Sequence, residues 1–246
     1  MGKNETHLVG LWAIAGFVGG LTLFGLVRAA MRGEFLVPSI VLLALVFFGF
    51  QFWYQRRKTL ALFRNQTAEQ AVSYYRRNRS KLPITRASVA YMSALAMSFY
   101  GEFKSARNEL IEIPWDDLPP LYQGLRTHVL TVIAILERRD YREALDLAYE
   151  TRELSRTRSA FPGSKKSRSA IEALVDATEV LAGSGNDQAL GRLEGAVPKL
   201  PPLARLIPAF ALAHHYAEHG DERNALKYHA MISRVAPYCR PLNGAI

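Results

Sequence analysis

The chain has 246 residues, a formal net charge of +9 and a single cysteine, Cys239. One cysteine excludes an internal disulfide and a cysteine-built metal cluster, and it is compatible with a reducing compartment. Residues 1–58 carry a net +4 and the other 188 residues a net +5, a mild excess that does not by itself point to nucleic acid and suits anionic headgroups equally well.

The first 58 residues contain two apolar runs. Residues 8–27 (LVGLWAIAGFVGGLTLFGLV) and 35–54 (FLVPSIVLLALVFFGFQFWY) hold no charged side chain. Twenty helical residues rise roughly 30 Å, the thickness of a hydrocarbon core. Backbone amides in lipid must be satisfied within the segment, so both runs are expected to be helices. The expected spans are residues 8–28 and 35–54, joined by a short loop. Pro38 falls in the first turn of the second span, where a missing amide hydrogen costs nothing. Trp53 and Tyr54 close that span, as an aromatic belt would. The first run is too long for the apolar core of a secretion signal, and Val27-Arg28-Ala29-Ala30 offers no small-x-small cleavage site.

Basic residues set the orientation. Lys3, Arg56, Arg57, Lys58 and Arg64 flank the outer ends, against Arg28 and Arg32 in the loop. Both termini are therefore expected in the cytoplasm, in the inner or plasma membrane. Gly16 and Gly20 stand in a GxxxG spacing that lets membrane helices approach closely, either within the hairpin or between two copies in a homo-oligomer.

Downstream the pattern is all helical, with no sustained two-residue alternation. Residues 59–82 read as a juxtamembrane basic helix. Thr67 and Gln70 have the capping-box spacing at its start, and Arg76, Arg77, Arg79, Lys81 and Arg86 follow without an intervening acid. Residues 83–246 read as successive helices: 83–100, 102–111, 121–138, 141–156, 169–182, 186–197, 206–219 and 222–235. A loop is expected over 157–167 from its composition (TRSAFPGSKKS).

One junction recurs. Gly101-Glu102-Phe103-Lys104-Ser105-Ala106, Arg139-Asp140-Tyr141-Arg142-Glu143-Ala144 and Gly220-Asp221-Glu222-Arg223-Asn224-Ala225 each give a turn, a cap and an alanine where paired helices must meet. Gly185-Asn186-Asp187-Gln188-Ala189 is a form one residue shorter. A single helix pair cannot bury its own apolar face, so the pairs are expected to stack.

With these junctions the chain resembles the tetratricopeptide repeat family. Residues 209–237 match best: Ala209, Leu212, Ala213 and Tyr216 in the first helix, then Gly220, Asp221, Ala225, Ile232 and Pro237 in the turn, second helix and terminal proline. The resemblance extends loosely over residues 87–237, without the consensus tryptophan and with Val132 at a position the family keeps small. It implies an α-solenoid of antiparallel helix pairs that binds a partner protein in a concave groove. The groove positions it implies are Tyr91, Leu95 and Phe99, then Arg126, Val129, Ile133 and Glu137, then Phe210, His214 and Glu218. Of the family's peptide-carboxylate clamp, Arg126 alone is present.

Two other clusters stand out. His214, His215, Glu218, His219 and His229 bring two histidines to an i, i+4 spacing, as metal-binding helices do. The HExxH order is absent, as are a phosphate-cradling GxxxxGK[ST] and a GxSxG elbow, so no catalytic residue, metal or cofactor is expected. Arg152, Arg156, Arg158, Lys165, Lys166 and Arg168 form a basic surface suited to an acidic partner or to lipid headgroups. Aromatic side chains are not interleaved with these charges, so nucleic acid is not expected. The resulting expectation is a two-span membrane protein whose cytoplasmic helical repeats act as a scaffold or adaptor for a partner protein. The alternatives are a module that binds anionic membrane surfaces and a membrane-bound enzyme with a histidine-based metal site.

Overall fold

A computed structural model of the chain describes residues 46, 47, 49, 50, 63, 64, 67–77, 83–137, 141–156, 164–185 and 187–244. Backbone contacts divide it into two units, Met1–Lys58 and Thr59–Ile246. In the first unit the described residues Val46, Phe47, Gly49 and Phe50 are helical and exposed. The rest of the two expected spans, with Gly16, Gly20 and the loop at 28–34, lies outside the described residues. Among the described residues, no helix is long and apolar enough to cross a membrane.

The second unit is all-α, with no strand among the described residues. Its helices are α1 (Ala68–Arg77), α2 (Pro83–Tyr100), α3 (Phe103–Ile111), α4 (Pro120–Glu137), α5 (Tyr141–Arg156), α6 (Ser164–Leu181), α7 (Asp187–Ala196), α8 (Leu206–Glu218), α9 (Glu222–Val235) and α10 (Arg240–Asn243). Consecutive helices pack as pairs: α2 with α3, α4 with α5, α6 with α7 and α8 with α9. Between pairs, α2 packs on α4, α5 on α6 and α6 on α8.

Sequence pattern decides which helix of a pair lies inside. In α2 every residue from 93 to 99 is buried, and in α8 every residue from 206 to 213. Helices that are apolar on all sides belong in the interior. In α5 the buried residues are Ala144, Ala148 and Thr151, and in α9 they are Ala225, Tyr228 and Ile232. A three-to-four-residue repeat of that kind makes one apolar stripe, so these helices form the outer layer. The junction alanines Ala106, Ala144, Ala189 and Ala225 are all buried, the first three with no exposed surface. Interaxial distances of about 8–10 Å leave little room beyond a methyl group at such crossings.

The turns close in a common way. Gly101, Gly183 and Gly220 have φ of +85°, +67° and +74°, a left-handed conformation that glycine adopts without a Cβ clash. After each, the next amide donates to the carbonyl five residues back: Glu102 to Met97 at 2.9 Å, Ser184 to Glu179 at 3.1 Å and Asp221 to Tyr216 at 2.9 Å. This is the Schellman closure of a helix C-terminus. Two helices open on a side-chain cap: Thr67 Oγ1 accepts from the Gln70 amide at 3.4 Å, and Asp221 Oδ1 from the Asn224 amide at 3.1 Å, whereas Glu102 of the first junction makes no side-chain cap.

Three local expectations are corrected. Helix α6 begins at Ser164, inside the stretch expected to be a loop. Ser164 to Arg168 follow Pro162-Gly163 with no breaker among them, and lysine and arginine are good helix formers. In the third pair the left-handed turn residue is Gly183, not Gly185, so its junction is one residue longer than the others rather than shorter. Gly185 is needed for a different reason: a Cβ there would lie 3.1 Å from the Val180 backbone. The four-residue α10 was not anticipated.

That last helix ties the two ends of the array together. It packs on α2 and α4, and a Cβ on Gly101 would meet Pro241 Cγ at 3.2 Å. Asn243 pins the segment, its Nδ2 donating to the carbonyls of Ala236 at 2.8 Å and Cys239 at 3.0 Å while its Oδ1 accepts from Ser233 Oγ at 2.8 Å. Cys239 just before it and Leu242 within it are buried, and burial pushes the Cys239 thiol up to about 12.

Candidate functional site: an apolar cavity and an open acidic cleft

The groove positions converge, but mostly on the interior. Leu95, Phe99, Val129, Ile133 and Phe210 are all buried. Tyr91 and His214 are half-buried. Arg126 stays half-exposed, its Nη1 3.6 Å from Oδ1 of the exposed Asp116, a weak surface pair. Glu137 receives two hydrogen bonds from Arg107 of α3, at 3.1 and 2.5 Å, which join the first pair to the second. His214 Nδ1 lies 3.2 Å from Glu218 Oε2, and its ring packs near Phe210 and Tyr141.

The fill is incomplete. An apolar cavity of about 300 Å³ remains between α2, α4, α5, α6 and the segment 201–208. Its wall includes Tyr91, Leu95 and Phe99 from α2, Leu125 and His128 from α4, Leu154 from α5, Ile171 and Leu174 from α6, and Ile207 and Pro208 at the start of α8. The first and last pairs therefore face each other across it. Among the described residues, no Asp, Glu, Lys or Arg lines it. Gly124 stands in the wall where α4 and α5 approach, a Cβ there reaching Leu154 Cβ at 3.4 Å. Nearby, Thr151 Oγ1 donates to Thr127 Oγ1 at 2.8 Å, a buried link between the same two helices.

Besides the hydroxyls of Thr151 and Ser155, a polar pair sits in that wall. The Tyr91 hydroxyl is 3.3 Å from His128 Nδ1, with ring centroids 5.8 Å apart. Desolvation lowers the His128 pKa to about 4 and raises that of Tyr91 to about 12, so both are uncharged at neutral pH. Sequence reasoning did not single out His128. A lone histidine among apolar helix positions carries no local signal, and its meeting with Tyr91 depends on how α2 packs on α4.

A second concavity, an open cleft of about 800 Å³, lies between α1, α2 and α3. Its lining includes Glu69, Glu102, Glu109 and Glu112 with Arg76. Arg76 Nη2 donates to Oε2 of the buried Glu109 at 2.9 Å. The acidic character was hidden in sequence because these glutamates come from three segments, one of them inside the basic stretch.

The basic cluster is partly neutralised within the fold. Arg156 Nη1 donates to Glu153 Oε1 at 2.7 Å. Arg152 lies 4.8 Å over the Tyr149 ring and 4.0 Å from Glu172 of α6, an acid that the sequence reading had not grouped with it. Arg168 is exposed. Arg158 lies outside the described residues, and Lys165 and Lys166 fall in the first turns of α6.

The histidines are spread over different partners. His215 and His219 lie with ring centroids 4.1 Å apart and tilted by 32°, while His219 Nδ1 is 2.7 Å from the His215 carbonyl. His229 Nε2 is 3.3 Å from the Asn243 carbonyl. Among the described residues, no group of three or more His, Cys, Asp or Glu is placed to hold a metal ion.

No protein-family model matches the chain, and neither a curated protein nor a solved structure is similar to it.

Proposed function

We propose that this protein is a membrane-anchored adaptor. Two spans at residues 8–28 and 35–54 hold a cytoplasmic, tetratricopeptide-like array of helix pairs, which binds a basic segment of a partner protein. What supports the anchor is two charge-free runs of bilayer length directly before a helical domain. The observation that carries the binding role is the open cleft of about 800 Å³ between α1, α2 and α3, lined among the described residues by Glu69, Glu102, Glu109 and Glu112 with Arg76. Opposite charge there would speed encounter and fix register more than it would raise affinity. Phe99 and Phe210 support the array from inside it, and Tyr91, Arg126 and His214 lie half-buried along its inner helices. The basic set around Arg152 offers lipid less than its sequence suggests, because Glu153 and Glu172 already stand beside it.

The test is a photoreactive benzoylphenylalanine at Ser105, in the cleft, in the full-length chain in its own cells. The reading requires a discrete protein adduct that disappears when Glu102→Lys and Glu112→Lys are added. An absent adduct, or one indifferent to the charge reversal, would rule out the cleft as the docking surface.

A further inference from the structure

The cavity behind the inner helices has a composition that restricts what can fill it, independently of the adaptor role. It holds about 300 Å³, twice the volume of an engineered apolar cavity that takes up benzene. By that measure there is room for roughly a dozen carbon atoms. Among the described residues the wall is mostly aliphatic and aromatic and contains no formal charge; the hydroxyls of Thr151 and Ser155 also line it, and each already donates within the fold, to Thr127 Oγ1 and to the Arg152 carbonyl. A carboxylate, phosphate or ammonium group would have to shed its water with no counter-charge to meet it, which is strongly unfavourable. A pure alkane would pack, but would displace water from the polar pair without replacing its hydrogen bond.

That pair defines the remaining chemistry. Tyr91 and His128 share one proton between the phenol oxygen and Nδ1. If the phenol donates, Nε2 carries a hydrogen and offers a donor. If Nδ1 donates, the phenol hydrogen is free and Nε2 is an acceptor. Among the described residues the hydrogen bond seen for the His128 ring is that of Nδ1 with Tyr91, and the ring is half-buried, so Nε2 is left to water or a ligand. A hydroxyl group satisfies either tautomer, because it donates and accepts. A carbonyl serves only a donor, and a carboxylate serves only a donor while carrying charge.

We propose that the cavity between α2, α4, α5, α6 and the 201–208 segment binds one neutral amphiphile, a single apolar chain ending in a hydroxyl group that hydrogen-bonds the Tyr91–His128 pair. A long-chain alcohol and the free hydroxyl end of a neutral glycerolipid share this chemistry. Neutral amphiphiles partition into bilayers, so the expected membrane hairpin would keep the domain near a supply.

The experiment uses full-length protein in phospholipid nanodiscs and a twelve-carbon primary alcohol carrying a mid-chain diazirine. Photolysis followed by peptide mass spectrometry maps the labelled residues. Labelling is expected in the α2, α4 and α6 segments that line the cavity. Dodecanol should compete at concentrations about tenfold or more below dodecanoate at pH 8. Ala170→Phe fills the cavity from α6 and Ala204→Leu from the opposite wall, and each should cut labelling of these segments by about tenfold with the melting transition retained. His128→Phe should erase the preference for dodecanol over dodecane while leaving dodecane competition in place. If α2, α4 and α6 are not labelled, or if both filled variants melt normally and label like the parent, the site does not exist. Equal competition by dodecanoate and dodecanol would overturn the neutral-hydroxyl assignment, as would a His128→Phe variant that still prefers the alcohol. To separate a bilayer source from a free one, the mapping is repeated with monododecanoylglycerol built into the nanodisc. Competition from within the bilayer assigns the ligand to the membrane, and competition by soluble dodecanol alone assigns it to the aqueous pool.

Discussion

The Tyr91 hydroxyl and His128 Nδ1, 3.3 Å apart across the α2–α4 interface, form a neutral polar pair in a wall of aliphatic and aromatic side chains. The pair has a direct consequence for stability against pH. Burial depresses the folded-state pKa of His128 to about 4, while a histidine in the unfolded chain titrates near 6.5. Between those values the unfolded state binds more protons, so stability falls as pH falls. From pH 7 to pH 5 the loss from this one group is about 2 kcal/mol. His128→Phe removes the titrating ring. Melting curves of parent and variant from pH 7.5 to 5 should diverge, the parent losing about 4–8 °C more. Parallel curves would mean that His128 is solvated enough to titrate normally.

Ala225 tests the helix crossings. It is 2% exposed, on the face of α9 that meets α8. Ala225→Leu should overpack that crossing and cost about 1–3 kcal/mol. The neighbouring Leu226 is 62% exposed, so Leu226→Ala should change stability by less than about 0.5 kcal/mol. Hydrogen exchange should show α8 and α9 loosened first in the Ala225 variant, since stacked pairs are held by their neighbours. Equal exchange in the two variants would show that position 225 does not limit the approach of these helices.

The link between Asp176 and Arg192 should behave asymmetrically. Asp176 on α6 is 8% exposed and accepts from Arg192 Nε at 3.1 and 3.3 Å and from Nη2 at 2.6 Å. The Arg192 side chain is half exposed, so water can replace the carboxylate for it but not the reverse. Arg192→Ala should therefore cost about 2–3 kcal/mol by stranding a buried carboxylate. Adding Asp176→Leu should recover at least about half of that loss, because a matched apolar replacement removes the unsatisfied charge. Denaturant unfolding of the single and double variants is the measurement. Equal loss in both would mean that the ion pair itself, and not the stranded group, carries the stability.

Local signals read well where chemistry and geometry coincide within a few residues. Helix α2 ends at the residue before Gly101 and α9 opens on the Asp221 cap and stops just before Pro237, as those residues imply, and the junction alanines are buried as their spacing implies. What the sequence could not carry is registration between distant segments. Gly185 resembles the turn residue of its junction, yet the left-handed position falls at Gly183, and only the Schellman hydrogen bonds distinguish them. Helix α10 has four residues, too few for any apolar period, and its role is its packing on α2 and α4. Of the groove positions implied by the family resemblance, Phe99 and Phe210 lie buried in the core and Tyr91 stands beside a cavity. The His128 partner and the glutamates of the α1–α3 cleft come together from separate helices, which spacing along the chain cannot report.

Cysteine accessibility across the membrane tests the central claim most directly. Cys239 is fully buried and its thiol is pushed up to about 12, so it should stay silent on either side and serves as an unreactive background rather than a topology marker. Two introduced cysteines report instead: Gly33→Cys in the expected outer loop, and Arg223→Cys at an exposed site in the first turn of α9. In intact cells an impermeant maleimide should label position 33 and leave position 223 untouched until the membrane is permeabilised. Labelling of position 223 in intact cells, with or without labelling of position 33, would contradict a two-span anchor that holds the helical array in the cytoplasm.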